Sequence, residues 1–337
     1  MDKQTPIRVG IIGCGYQGGI LAQAIGRTKA LQVTACADPD QTAAAQVARL
    51  AGNVAVYGSI EALLHAATVD AVMIATSHDL LYETALAALR AGKHVLAEKP
   101  IGMDEKEAAQ LEAAVQETGL SFMAGYSFRS IAALQKVHEL LQADAVGEIL
   151  TVSGAIGVGP MSSGWRASPE AGGGPLLYVG SHLVDAMLWY VHDDPVAVAA
   201  DVRYRADTRA DETTTFQIQF AHGAVAQGMV TQTAASLFQN LDIYGRQGRI
   251  SLRGIGFHYT IDIVSRVLPA YTQPTTIHLP QIDDLRILMH LPQLAEFAQA
   301  IQEHRQPAVT VTDGRRVLKV LDAIIKSDRT GEPVRLG

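Results

Sequence analysis

Cysteine is scarce in this chain: its 337 residues include two, Cys14 and Cys36. Two thiols cannot build a disulfide framework or a cysteine metal centre. Both fall on or beside expected buried strands, where Cys behaves as a small apolar residue. Basic charge is also short, with 27 Lys and Arg against 34 Asp and Glu for a net charge of −7. That balance argues against nucleic acid or an anionic membrane as partner. No apolar run is long enough to span a bilayer, which excludes an integral helical membrane protein. No His, Asp or Glu cluster has metal-ligand spacing, and no repeat or low-complexity tract interrupts the chain. Residues 1–6 show no signal-peptide pattern, so the expected location is cytoplasmic.

The most informative segment lies near the start. Ile7-Arg8-Val9-Gly10-Ile11-Ile12 reads as a short apolar strand that runs into Gly13-Cys14-Gly15-Tyr16-Gln17-Gly18, a G-x-G-x-x-G loop. Gly13 suits a tight turn out of the strand, Gly15 a close backbone approach to a pyrophosphate, and Gly18 close helix packing. The phosphates would sit at the positive N-terminus of the next helix, beside Tyr16 and Gln17. Three glycines alone can mark an ordinary turn. Here a second apolar segment ends at Asp38, placed to meet the ribose hydroxyls. Pro39 and Asp40 follow it, without an Arg or Lys for a 2′-phosphate, so NAD is expected over NADP.

At this length two domains are expected. Residues 1–124 alternate strand and helix. Helices are predicted near 41–50 and 80–91, the second ending at Gly92. Strands are predicted near 54–56, 70–75, 94–97 and 120–124. Asp104 and Glu107 form a capping-box pattern for a helix that Gly119 closes. This alternation implies an α/β class, with a Rossmann-type, doubly wound parallel sheet. Residues 125–337 have another rhythm. Glu212–Phe220 sets Phe216, Ile218 and Phe220 against Gln217 and Gln219, and 224–231, 237–244 and 249–253 continue as one-sided strands. Helices near 129–142, 175–190, 285–304 and 312–327 complete an α+β domain with a large open, mainly antiparallel sheet. Its free face is available to substrate or to a second subunit.

The segment Ala91 to Pro100, ending in Glu98-Lys99-Pro100, resembles the marker of the Gfo/Idh/MocA oxidoreductases. Three further matches follow in order: the glycine loop, Gly125-Tyr126-Ser127-Phe128-Arg129, and Gly172-Gly173-Gly174 leading to His182 and Asp185. The similarity spans nearly the whole chain. It implies an NAD(P)-dependent dehydrogenase acting on a secondary alcohol or carbonyl of a sugar, inositol or polyol, and a homodimer or homotetramer. On the residues alone, Lys99 is a charged strand end and His182 a helix histidine. The resemblance implies that Lys99 contacts nicotinamide and the reacting oxygen, while His182 moves the proton. It also marks Tyr126, Trp165 and Arg166 as substrate-side residues, the last two with interface packing as the alternative, and Arg129 as a clamp or contact, while the glycine-rich stretch reads from its own residues as a mobile approach to a helix.

Two departures stand out. Tyr178 occupies the place, four residues before His182, where many sugar and inositol dehydrogenases carry Asp. A phenol is neutral at pH 7 and can relay a proton, and Asp185 then becomes the candidate orienting carboxylate. Tyr178, His182, Asp185 and Trp189 are expected on one helix face. The second departure is Thr76-Ser77-His78 where the family often has Thr-Pro-Asn. His78 reads either as a cofactor contact or as a helix-start residue behind an Asp79 N-cap. Tyr178 opens an alternative of a non-sugar carbonyl or dihydrodiol substrate, and a silent NAD-binding sensor is the reading from another class.

Overall fold

The computed structural model describes residues 5–280, 282 and 284–337. In chain order its elements begin with β1 (Ile7–Ile12), α1 (Tyr16–Ile25), β2 (Leu31–Ala37), α2 (Gln41–Leu50), β3 (Ala55–Tyr57), α3 (Ile60–Leu64) and β4 (Ala71–Ile74). Next come α4 (His78–Arg90), β5 (His94–Glu98), α5 (Glu105–Thr118), β6 (Phe122–Gly125), α6 (Ala132–Gln142), β7 (Ile149–Gly157) and α7 (Ser181–Val191). Strands β8 (Pro195–Tyr204), β9 (Asp211–Phe220), β10 (Val225–Thr231), β11 (Phe238–Gly245), β12 (Gly248–Ile255), β13 (His258–Ser265) and β14 (Thr275–His278) follow. The chain ends with α8 (Leu285–Leu288), α9 (His290–Gln302), α10 (Val311–Thr330) and β15 (Val334–Arg335). Among the described residues, no helix is long and apolar enough to cross a membrane.

The chain divides into two compact units: Met1–Ser127 with Asp284–Arg315, and Phe128–Asp283 with Arg316–Gly337. The expected single cut at 124/125 needs correcting, because the segment from Asp284 returns to the first unit. The reason is apolar burial. Leu294, Phe297, Ala298 and Ile301 of α9 share one core with Val9 and Ile11 of β1 and Leu21, Ala24 and Ile25 of α1.

The first unit holds a six-stranded sheet in the order β3-β2-β1-β4-β5-β6, with every pair parallel. The strand order reverses between β1 and β4, where open α/β sheets bind ligands beyond the strand ends. The amides of Gly13 and Ala75 extend the ladder there, donating to Ala37 O at 3.0 Å and Ile12 O at 2.8 Å. Helix α5 starts as expected: Asp104 accepts from the Glu107 amide at 2.8 Å. The Glu107 carboxylate accepts from Met103 at 2.7 Å, one residue earlier than a standard capping box. Gly119 closes the helix in the left-handed region. Helix α4 begins at His78, so Asp79 lies in its first turn and is not the N-cap.

The second unit holds a nine-stranded sheet ordered β14-β13-β12-β11-β7-β10-β9-β8-β15. It is antiparallel except for the β10–β7 pair. Phe216, Ile218 and Phe220 are buried as the alternation predicted, while Gln219 is exposed. Helix α7 is buried along most of its length, and the Tyr190 hydroxyl ties it to α6 by donating to Leu134 O at 3.0 Å. One sheet face carries Ser153, Thr215, Gln217, Gln227, Asn240 and Asp242 in neighbouring registers.

Candidate active site

In the first unit the glycine loop has the stereochemistry its spacing demands. Gly13 takes φ +87°, and a Cβ there would stand 2.6 Å from the Ala75 carbonyl. A Cβ on Gly18 would come within 2.1 Å of Gly13 O, so only glycine lets α1 pack on the turn. A Cβ on Gly15 would meet nothing within 4 Å. Gly15 is the N-cap of α1 and brings no side-chain cap, so the helix opens onto space with its positive end toward it. A dinucleotide pyrophosphate fits that arrangement.

Asp38 closes the cradle from the end of β2. Its Oδ2 accepts from the Cys14 amide at 2.6 Å and its Oδ1 from the Asp40 amide at 2.8 Å. Asp40 is occupied with α2, accepting from Thr42 at 2.8 Å and Ala43 at 3.2 Å. Each of the two carboxylates thus accepts two backbone amides, Asp38 on the glycine loop and Asp40 at the start of α2. Cys14 and Cys36 are both free and buried. A hydrogen bond with Cys36, together with burial, pushes the Cys14 thiol up, which keeps it protonated and inert.

Strand β5 delivers Glu98 and Lys99. Lys99 is 8% exposed, against the bare reading of a solvated strand end, and precedes a cis peptide to Pro100. Gly125 permits the close approach of β6, since its Cβ would lie 2.7 Å from Glu98 Cα. Glu98 Oε1 accepts from Gln17 Nε2 at 2.8 Å. Tyr16 is exposed, and its hydroxyl accepts from Arg286 Nη1 at 2.6 Å. His78 is buried at the start of α4, and Thr76 Oγ1 donates to Ser77 O at 3.2 Å. Tyr126 is among the largest fully buried side chains. The return segment supplies two residues the sequence reading passed over, Arg286 and His290.

In the second unit, Trp165, Arg166 and Tyr178 come together. The Arg166 guanidinium lies 4.8 Å from the Trp165 ring centre and 5.1 Å from that of Tyr178. The two rings meet edge to face at 6.2 Å. The glycine triplet before Tyr178 is a packing device, which corrects the expectation of a mobile approach. A Cβ on Gly173 would stand 2.6 Å from three carbonyl oxygens. Gly174, at φ +114°, would place one 1.8 Å from Asp211 Oδ1. Asp211, unremarked in the sequence, accepts from the Leu176 amide at 2.8 Å. Burial pushes its carboxyl up to about 7.

Leu176–Gly180 forms a π-turn before α7 begins at Ser181. Tyr178 lies in this wider turn, while His182, Asp185 and Trp189 follow at i, i+3 and i+7 within α7, on one helix face. His182 is 5% exposed and stacks on Phe128 with ring centres 3.9 Å apart and planes 9° from parallel. Asp185 accepts two-toothed pairing from Arg129, with Nη2–Oδ1 at 2.6 Å and Nε–Oδ2 at 3.0 Å. That guanidinium also lies 5.3 Å from the Trp189 ring centre.

Family models match both parts of the chain. Residues 7–126 match the model of an oxidoreductase family with an NAD-binding Rossmann fold, and residues 134–251 match a GFO/IDH/MocA C-terminal domain. The 1,5-anhydro-D-fructose reductase of Ensifer adhaerens is 29% identical over 82% of this chain and 83% of its own length. The dTDP-3,4-didehydro-2,6-dideoxy-alpha-D-glucose 3-reductase of Actinomadura kijaniata is 28% identical over 97% of this chain and 96% of that protein. Levoglucosan dehydrogenase, solved with NADH and levoglucosan, shares the fold at a TM-score of 0.89, with 24% identity over 98% of this chain and 99% of that one.

Proposed function

The chain belongs to the GFO/IDH/MocA family of oxidoreductases, and we propose that it uses NAD to interconvert a secondary alcohol and a carbonyl on a sugar, inositol or related polyol. The carrying observation is the burial of Lys99 and His182, 8% and 5% exposed, at the strand end and helix start that the motifs single out. Proteins rarely bury such groups without giving them a task or a partner. Bound nicotinamide would supply the hydride acceptor or donor. The Lys99 ammonium holds the reacting oxygen and stabilises negative charge developing on it. His182, oriented by its stack on Phe128, takes the hydroxyl proton during oxidation and returns it during reduction.

Asp38 supports NAD over NADP: its charge suits ribose hydroxyls and repels a 2′-phosphate. Gly13, Gly15, Tyr16, Gln17, Gly18, Thr76, Ser77, His78 and Glu98 complete the cofactor side of this reading. Tyr126, Trp165, Arg166, Tyr178 and Asp185 complete the substrate side. The sugar class draws support from the reductases named above. A homodimer or homotetramer formed through the polar face of the large sheet, working in the cytoplasm, belongs to the same reading.

The packing of Tyr178 against Trp165 and Arg166 favours a second reading, a non-sugar carbonyl or dihydrodiol substrate, because an aromatic replaces a carboxylate there. The deciding experiment follows reduced-nicotinamide absorbance with NAD and NADP across inositols, aldoses, sugar acids and dihydrodiols, with Lys99→Ala and His182→Ala alongside. Turnover of a polyol, lost in both variants, is the expected result. NAD binding with no turnover anywhere on the panel would point to a sensor instead.

A further inference from the structure

Helix α9 carries a histidine that the mechanism above does not use. His290 is fully buried in the first unit, and its Nε2 lies 3.1 Å from Gln17 Nε2. Its Nδ1 lies 3.0 Å from Oε1 of the buried Gln293. We infer that His290 is a positioning residue of the dinucleotide site, holding the Gln17 amide against Glu98 through a hydrogen-bond relay of fixed direction. The inference rests on the oxidoreductase reading.

The direction follows from the donors available. A Glu98 carboxylate only accepts, so the Gln17 amino group must face it, at 2.8 Å. The second N–H of that amino group is then the one facing His290. Nε2 must present its lone pair, and the imidazole proton must sit on Nδ1, where it donates to Gln293. These three contacts are all hydrogen bonds only when the imidazole Nδ1 carries the proton and Nε2 accepts.

The placement gives the relay a purpose. Gln17 lies in the first turn of α1, two residues beyond Gly15, and Glu98 immediately precedes Lys99. One histidine from the return segment thus fixes a side chain on the glycine-loop helix and, through it, the strand end that carries Lys99. A positioning shell of this kind limits how far the groups around a cofactor can wander.

The test measures NADH affinity by fluorescence titration on the whole chain, with the thermal midpoint recorded for each variant. His290→Phe keeps a ring but removes the acceptor, and Gln17→Met removes the donor from a partly exposed position. Each is expected to weaken NADH binding about tenfold, because a buried polar group loses its partner. The double variant should lose no more than either single one. His290→Gln places Oε1 where Nε2 stands and should bind within about threefold of wild type. If His290→Phe does not fold, His290→Met, which also lacks the acceptor, takes its place beside His290→Gln, and equal NADH affinity in those two would overturn the relay.

Unchanged NADH affinity in Gln17→Met, or losses that simply add in the double variant, would reduce His290 to a packing residue. A wild-type chain that fails to bind NADH would overturn the dinucleotide reading and the relay's role with it. Wild-type binding with unmoved variants would overturn the relay alone.

Discussion

The Cys14 amide donates to the Asp38 carboxylate at 2.6 Å, so the residue expected to read the ribose also ties down the glycine loop. The two roles separate by substitution. Asp38→Asn keeps an oxygen for the Cys14 amide but loses the charge, whereas Asp38→Ala loses both. Asp38→Asn should weaken NADH about tenfold and narrow the gap to NADPH, while Asp38→Ala should also lower the thermal midpoint. Equal NADH and NADPH affinities in the wild type would remove the basis for this prediction.

Asp185, a substrate-side residue in the reading above, also has its carboxylate gripped by Arg129 at 2.6 and 3.0 Å in a buried pair. Deleting one partner leaves the other charge stranded. Asp185→Ala should therefore cost on the order of 3–5 kcal/mol in stability, and Arg129→Met with Asp185→Leu should recover much of it. Urea unfolding of the wild type and the two variants checks this. A fully stable Asp185→Ala with a raised KM would mean that Asp185 serves the substrate and not the fold.

How much of this was legible in the sequence depends on the range of the interaction. The glycine loop, Asp38 and the Asp104 cap are local, and spacing alone located them. Strands β9 to β12 announced themselves because one face is buried and the other wet. Strand β8 did not: Pro195-Val-Ala-Val-Ala-Ala has small residues on both faces, which blurs the alternation. The π-turn escaped because periodicity assumes 3.6 residues per turn and nothing in Leu176–Gly180 marks the extra residue. His290, Arg286 and Asp211 acquire meaning only from partners far away in sequence. A histidine 273 positions from Gln17 carries no local signal.

Gly174 offers a sharp test of the corrected view of the glycine triplet. At φ +114°, with a would-be Cβ 1.8 Å from Asp211 Oδ1, alanine is both strained and obstructed. Gly174→Ala should destabilise the fold by roughly 3 kcal/mol or more, whereas a flexible approach to the helix would tolerate alanine within about 0.5 kcal/mol. Thermal or denaturant unfolding separates the two outcomes.

Asp211 links this packing to pH. Its carboxyl is pushed up to about 7 by burial, above the ordinary value of 3.8, although the Leu176 amide pulls the other way. A carboxyl whose folded value is raised binds its proton more tightly when folded. Its contribution to stability is then fully present below about pH 4 and is lost as pH rises through 7. The full shift corresponds to a few kcal/mol. Asp211→Asn retains an oxygen for the Leu176 amide and cannot ionise, so it removes this dependence. Between pH 5 and pH 8 the wild type should therefore lose stability relative to Asp211→Asn, with the asparagine variant the more stable of the two at pH 8. Unfolding midpoints of both proteins across that range decide it, and parallel curves would mean that Asp211 stays ionised in the fold.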